Sequence, residues 1–252
     1  MMPDILSLSM TGLGALLAGA AVLLTQRSRH RAPLWLLISA CILGTLGLLA
    51  GGAPPLGTCA SNLSSLLGLA GLGAALWSLM LSRQRRRDPG TVAPLLLAGT
   101  LGVRTLMPTL TSVGPCPTSA PFQTAVTAEA LAMGILAWAS LSSLAETAEE
   151  RGPTIESSLA VALVLQATAL ALRGLGAQWA WGNYWRWDPV ECWHLAACLT
   201  TAIGLLGIRA LNWQNRTARW ALYMTTCLTL AVAFALIPLT IWLGASSLYI
   251  MR

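Results

Sequence analysis

The sequence predicts an all-α polytopic membrane protein, a helix bundle of about eight transmembrane spans forming a single membrane domain over residues 1–252. Three observations predict it. The chain is 56% hydrophobic and only 10% charged, whereas soluble domains carry about 25% charged residues. The apolar residues fall in stretches of about twenty, which is the length that crosses a bilayer. Positive charge collects between alternate stretches, as it does on the cytoplasmic side of membrane proteins.

Eight apolar stretches follow one another along the chain, and each is long enough for one helical crossing. The connections between them are too short to hold a separate soluble domain. The predicted spans are Ile5–Leu24, Pro33–Gly51, Ser61–Leu81, Thr91–Met107, Phe122–Leu144, Glu156–Leu175, Val190–Ile208 and Trp220–Leu243.

Arginine sets the predicted orientation. The first, third, fifth and seventh connections carry arginine, whereas those near Gly57 and Val113 carry no charge. Because positive charge stays cytoplasmic, both termini and the connection between the sixth and seventh spans are expected outside. The first span is not preceded by a basic region, so we interpret it as retained rather than cleaved. The net charge of +6 comes from these short clusters and does not indicate nucleic acid binding.

Tryptophan is concentrated in one predicted outer loop, at about residues 178–193. Five of the eleven tryptophans lie between Trp179 and Trp193. Each offers a flat apolar face and one N–H donor, so a cluster of them suits a flat ligand. Tryptophan also collects at membrane interfaces, which leaves a simple anchoring role open.

The end of this loop also reads as a helix start. Asp188 suits the N-cap and Pro189 the first helical position, while Glu191 is placed to complete a capping box. Capping explains these three residues structurally. It leaves four tryptophans without a role: Trp181, Trp185, Trp187 and Trp193.

The string from Trp181 to Trp193 resembles the WWD signature, WGxxWxWDPxExW, of membrane proteins that handle haem in cytochrome c maturation. Within that superfamily it is most similar to the CcsA (ResC) branch of system II, whose eight-span layout also fits. Weaker similarity lies at Ser61–Leu66 and Pro108–Ser112. The resemblance implies a location in the cytoplasmic membrane of a bacterium, or in an equivalent organelle membrane.

The resemblance implies that haem is held transiently at the outer surface and presented for attachment to apocytochrome c. It implies a partner similar to ResB/CcsB and a place in a cytochrome c haem lyase (synthetase) complex, without assigning a catalytic residue. Arg173 or Arg186 would pair with a haem propionate; snorkelling is an equal alternative for Arg173. The implied haem-contacting residues are Trp181, Gly182, Tyr184, Trp185, Arg186, Trp187, Asp188, Pro189, Glu191, Trp193 and His194.

Histidine is where the chain departs from this pattern, since the family uses several as axial haem ligands. This chain has two. His30 lies among arginines, and we interpret it as a solvated residue. His194 is a weak candidate for iron ligation; a hydrogen bond to Glu191 or to a backbone carbonyl is favoured. An alternative function is therefore a histidine-depleted relative that serves as a non-catalytic structural or regulatory subunit. A transporter for another flat ligand is a third.

Two further pairs are predicted. Cys59 and Cys116 both fall in outer loops, where disulfides persist, so they are expected to form one. The chain has no C-x-x-C motif, which argues against a thiol oxidoreductase. Glu129 and Arg104 lie in neighbouring spans, and charges within a membrane are usually paired. We expect these two to meet, or a third polar group to join them.

Overall fold

The computed structural model describes eight α-helices and no strand within residues 5–27, 34–50, 63–85, 92–106, 119–145, 148–211, 213 and 215–232. The all-helical prediction is confirmed within these ranges. The helices are α1 Ile5–Arg27, α2 Leu34–Ala50, α3 Leu63–Arg85, α4 Val92–Leu106, α5 Ala120–Ala145, α6 Ala148–Trp181, α7 Pro189–Ala210 and α8 Asn215–Ala231.

Among the described residues, three helices are long and apolar enough to cross a membrane, namely Ala120–Leu144 of α5, Pro153–Trp181 of α6 and Pro189–Ala210 of α7. Shorter apolar stretches lie in α1 to α4, at Ser9–Ala21, Leu36–Leu46, Leu67–Leu81 and Val92–Leu101. These lengths are consistent with a membrane protein. The number of eight spans and the outside position of both termini remain predictions.

Helix α6 is longer than predicted. The sixth span was expected to end at Leu175, but the helix continues to Trp181. Gly174 and Gly176 lower the helix propensity of this part of α6, yet each packs closely against a neighbouring residue. A Cβ on Gly176 would lie 2.8 Å from the Phe122 ring, and one on Gly174 would lie 3.3 Å from the Tyr184 carbonyl oxygen. The irregular part of the tryptophan-rich segment is therefore residues 182–188, shorter than the predicted 178–193.

The chain divides into two compact units, Met1–Val113 and Gly114–Arg252. In the first unit, α1 packs against α2 and α4, and α3 packs against α4. Its core is made of small and aliphatic side chains, which let the helices approach closely: Ala18, Leu37, Ala40, Cys41, Leu72, Ala75, Leu97 and Leu101.

In the second unit, α5 packs against α6 and α8, and α7 packs against both α6 and α8. Hydroxyl pairs join α5 to α8: Ser140 lies 2.8 Å from Thr226, and Ser143 lies 2.9 Å from the Tyr223 hydroxyl. Such contacts hold helices together where lipid surrounds them, since the hydrophobic effect between helices is then weak. This unit carries the tryptophan-rich segment.

Candidate functional site

A tight turn connects α6 to α7. Gly182 ends α6 in the left-handed region, at φ +74°, and its N–H donates to the Gln178 carbonyl at 2.9 Å. Glycine is the usual residue in this position after a helix, because a side chain there is strained. The structure thus gives Gly182 a backbone role in placing the loop of residues 182–188, which we call the tryptophan loop.

The loop ends in a strong helix cap. Trp187 lies at φ +58°, which is uncommon for a bulky residue. The next residue, Asp188, is the N-cap of α7, and its Oδ1 accepts from the Val190 N–H at 2.9 Å. Pro189 occupies the first helical position. The predicted helix start at Asp188-Pro189 is therefore confirmed.

Glu191 is buried, with only 2% of its surface exposed. Its carboxylate accepts from the Arg186 backbone N–H at 3.0 Å. A capping box would take Glu191 to the N–H of the cap residue itself. The contact with Arg186 reaches two residues before the cap residue, so that the first turn of α7 holds the middle of the tryptophan loop. The capping box itself stays a prediction.

Arg186 closes the other end of the loop. Its Nη2 donates to the Trp181 carbonyl oxygen at 3.2 Å, at the end of α6. When the Asn183 amide is turned so that its oxygen faces the guanidinium, this oxygen accepts from Arg186 Nη2 at 2.7 Å and from Arg186 Nε at 3.1 Å. The guanidinium is nevertheless exposed. Arg186 therefore shapes the loop, a role that the sequence did not reveal, and can still meet an anion.

The aromatic side chains divide into two groups. Trp181 is partly buried and packs against Phe122, with ring centroids 5.7 Å apart, beside Ala177 and Val190. Tyr184 and Trp187 are open, with 60% and 71% of their surfaces exposed. Trp185 and Trp187 meet edge to face, with centroids 5.8 Å apart. Trp181 thus supports the loop, and Trp187 presents its surface outward.

Beneath the loop, three polar side chains from α5, α6 and α7 form a cluster in which Arg173 is buried and the other two are partly buried. Arg173 Nε donates to Glu129 Oε1 at 2.9 Å, and Arg173 Nη2 donates to Glu129 Oε2. His194 Nε2 lies 2.8 Å from Glu129 Oε2 and 3.0 Å from Arg173 Nη2. The forked arrangement is the strong form of an arginine–carboxylate pair. We call these three residues the polar cluster.

The polar cluster gives Glu129 partners other than the one predicted, and the predicted contact with Arg104 stays a prediction. The structure pairs Glu129 with Arg173 and His194, whereas the Arg104 side chain lies outside the described residues. Glu129 is the lone charged residue in its span, and Arg173 is the charge near the matching end of the next. These positions in neighbouring spans could have predicted the contact between Glu129 and Arg173, because charges within a membrane require partners.

His194 uses both ring nitrogens. Its Nδ1 lies 2.8 Å from the Val190 carbonyl oxygen, so Nδ1 carries a proton and donates. The predicted bond to a backbone carbonyl is confirmed. Iron ligation would have to take Nε2 from Glu129 and Arg173, so this arrangement does not fit an axial ligand. Within the described residues no group of three or more histidine, cysteine or acidic residues could hold a metal. His30, Cys59 and Cys116 lie outside them.

A scan against protein-family models and a search of curated proteins found no match to this chain. The resemblance to haem-handling proteins therefore depends on the motif residues themselves. Four of them have defined backbone or capping roles, namely Gly182, Asp188, Pro189 and Glu191. Two others, Tyr184 and Trp187, are exposed.

Proposed function

We propose that this protein acts in cytochrome c maturation and that its tryptophan loop presents haem at the outer membrane surface for attachment to apocytochrome c. The observation that carries the proposal is the exposure of Trp187 and Tyr184 on a loop held at three points. Large exposed aromatic rings bind flat apolar ligands well. Rigidity favours binding, because less conformational freedom is lost when the ligand arrives.

The residues of the tryptophan loop fit the macrocycle and a propionate of haem better than they fit its iron. Trp185, Trp187 and Tyr184 offer ring faces and edges for the macrocycle, and exposed Arg186 is placed to meet a propionate. When bound, haem would supply the vinyl groups that react with apocytochrome thiols. His194 is engaged in the polar cluster, so we place the axial ligands on a partner similar to ResB/CcsB.

The proposal includes the orientation. Eight spans with arginine-bearing connections in the cytoplasm put both termini and the tryptophan loop outside. Among the described residues, Arg209 and Glu156 pair at 2.7 Å near the ends of α7 and α6 that are remote from the loop. A charged pair there suits a membrane boundary opposite the loop.

A second function has one specific observation in its favour. Because His194 is hydrogen-bonded on both ring nitrogens, the chain also suits a non-catalytic structural or regulatory subunit of a membrane complex. In that case the tryptophan loop binds a partner protein or the lipid interface and no haem.

Haemin titration of the purified protein in detergent separates these functions. The first predicts a shifted Soret band and quenched tryptophan fluorescence. Trp187→Ala should weaken haemin binding about tenfold, the loss expected for one aromatic contact. Trp220→Ala is the matched control, since Trp220 is 54% exposed on α8 but lies at the end of the unit away from the loop. A folded protein that takes up no haemin, or equal losses in both variants, would refute the haem function.

A further inference from the structure

The polar cluster is not explained by haem contact or by stability. It withdraws three polar side chains largely from the surface, one from each of the three described helices that are long enough to cross a membrane. Removing charges from water is expensive, and well-packed apolar residues in the same volume are often equally stable or more so. A buried ion pair of this kind is better explained by what it holds in place.

All three residues lie within about 14 Å of the loop-side ends of their helices. Counting 1.5 Å per helical residue, Glu129 lies about 14 Å from the start of α5, Arg173 about 12 Å from the end of α6 and His194 about 8 Å from the start of α7. All three helix ends belong to the loop side of the unit. The polar cluster therefore lies about one and a half to two and a half turns beneath the tryptophan loop.

A line of hydrogen bonds runs from the polar cluster to the loop. His194 Nδ1 donates to the Val190 carbonyl, and the Val190 N–H donates to Asp188 Oδ1. One residue further along the same turn, Glu191 accepts from the Arg186 N–H. The first turn of α7 is thus fixed from below by His194 and holds the loop above it.

We propose that Arg173, Glu129 and His194 form a positioning site that fixes the first turn of α7, and with it the tryptophan loop, against α5 and α6. Each of the three contacts the other two, so they act as one unit. The proposal rests on the proposed function only in assigning ligand binding to the loop.

A second buried polar group in the same unit provides a control. Gln166 Oε1 lies 2.7 Å from the Thr201 hydroxyl, and Gln166 Nε2 donates to Thr229 at 3.2 Å. Gln166 lies seven residues before Arg173 on α6, and Thr201 lies seven residues after His194 on α7. This group is therefore about 10 Å further from the loop, with comparable polar contacts between α6 and α7.

The test uses the full chain in detergent and two double variants. Glu129→Gln with Arg173→Met removes both charges together, so that neither is left buried alone. Gln166→Leu with Thr201→Val removes the remote contacts. Hydrogen exchange at the Arg186 and Val190 amides reports the loop and the first turn of α7, and haemin titration reports binding.

We expect the first variant to fold, to exchange both amides about tenfold faster and to bind haemin about tenfold more weakly, as when a supporting residue of a site is removed. The remote variant should leave both readouts at their wild-type values. The proposal would be overturned by unchanged exchange in the first variant, or by unchanged affinity in that variant when the wild type binds haemin. An equal change in the remote variant, or failure of the first variant to fold, would overturn it as well. If the wild type binds no haemin but the first variant still exchanges faster, the proposed function fails and the positioning role stands.

Discussion

Gly176→Ala tests how closely α6 packs against α5 below the tryptophan loop. A Cβ at this position would lie 2.8, 2.9 and 3.1 Å from three carbons of the Phe122 ring. That ring is buried and also packs against Trp181. Overpacking of a filled core destabilises by about 1–3 kcal/mol. Replacing a helical glycine by alanine gains about 1 kcal/mol in propensity, so a net loss of up to about 2 kcal/mol is expected.

Gly204→Ala is the matched control, because Gly204 lies on α7 of the same unit. A Cβ there would meet its nearest neighbours at 3.6 Å, which is ordinary contact. This variant should be as stable as the wild type or more stable, by up to about 1 kcal/mol.

The assay is unfolding of the purified protein from mild detergent into a denaturing one, followed by loss of helical circular dichroism. Phe122→Leu should partly restore the stability of the Gly176→Ala variant, since it removes the ring edge that the new methyl group meets. If Gly176→Ala is no less stable than Gly204→Ala, the close packing of Phe122 on α6 is refuted, and with it the account of why α6 reaches Trp181.

Two further predictions concern the cap and the orientation. Asp188→Ala should lower the free energy of unfolding by about 0.5–2 kcal/mol, because the Val190 N–H loses its acceptor. Asp188→Asn should retain most of the wild-type stability, and equal losses in both variants would contradict the capping role. Fusion reporters at Arg87 and at Arg252 should report opposite sides of the membrane, and a result placing both on one side would refute the eight-span arrangement.

The helical architecture could be predicted largely because apolar length is a direct physical signal. Seven of the eight helices begin within about six residues of the predicted positions, and the N-cap at Asp188 follows from local chemistry alone. The position of the end of α6 could not be predicted in this way. It depends on Phe122, more than fifty residues earlier in the chain, packing where Gly176 leaves room.

The contacts of the candidate site were harder to predict than its location. Composition drew attention to Trp181, Trp185 and Trp187 together, but their surroundings differ. Trp181 is held by Phe122, whereas Trp187 is exposed. Arg186 was expected to meet a ligand, and its contacts within the loop arise only when Gly182 reverses the chain. Such roles follow from tertiary packing and turn geometry, which residue type and spacing do not specify.

The tryptophan loop differs from an ordinary interfacial anchor in what its conformation requires. An anchoring tryptophan needs only an exposed ring at the right depth. Here Trp187 is held at a positive φ, which is strained for a bulky residue and persists only where neighbouring contacts impose it. Those contacts are the buried Glu191 carboxylate, the Asp188 cap and the Arg186 guanidinium on the α6 end. Because such constraints fix the direction of a ring as well as its depth, they favour recognition of a particular ligand or partner over anchoring in lipid.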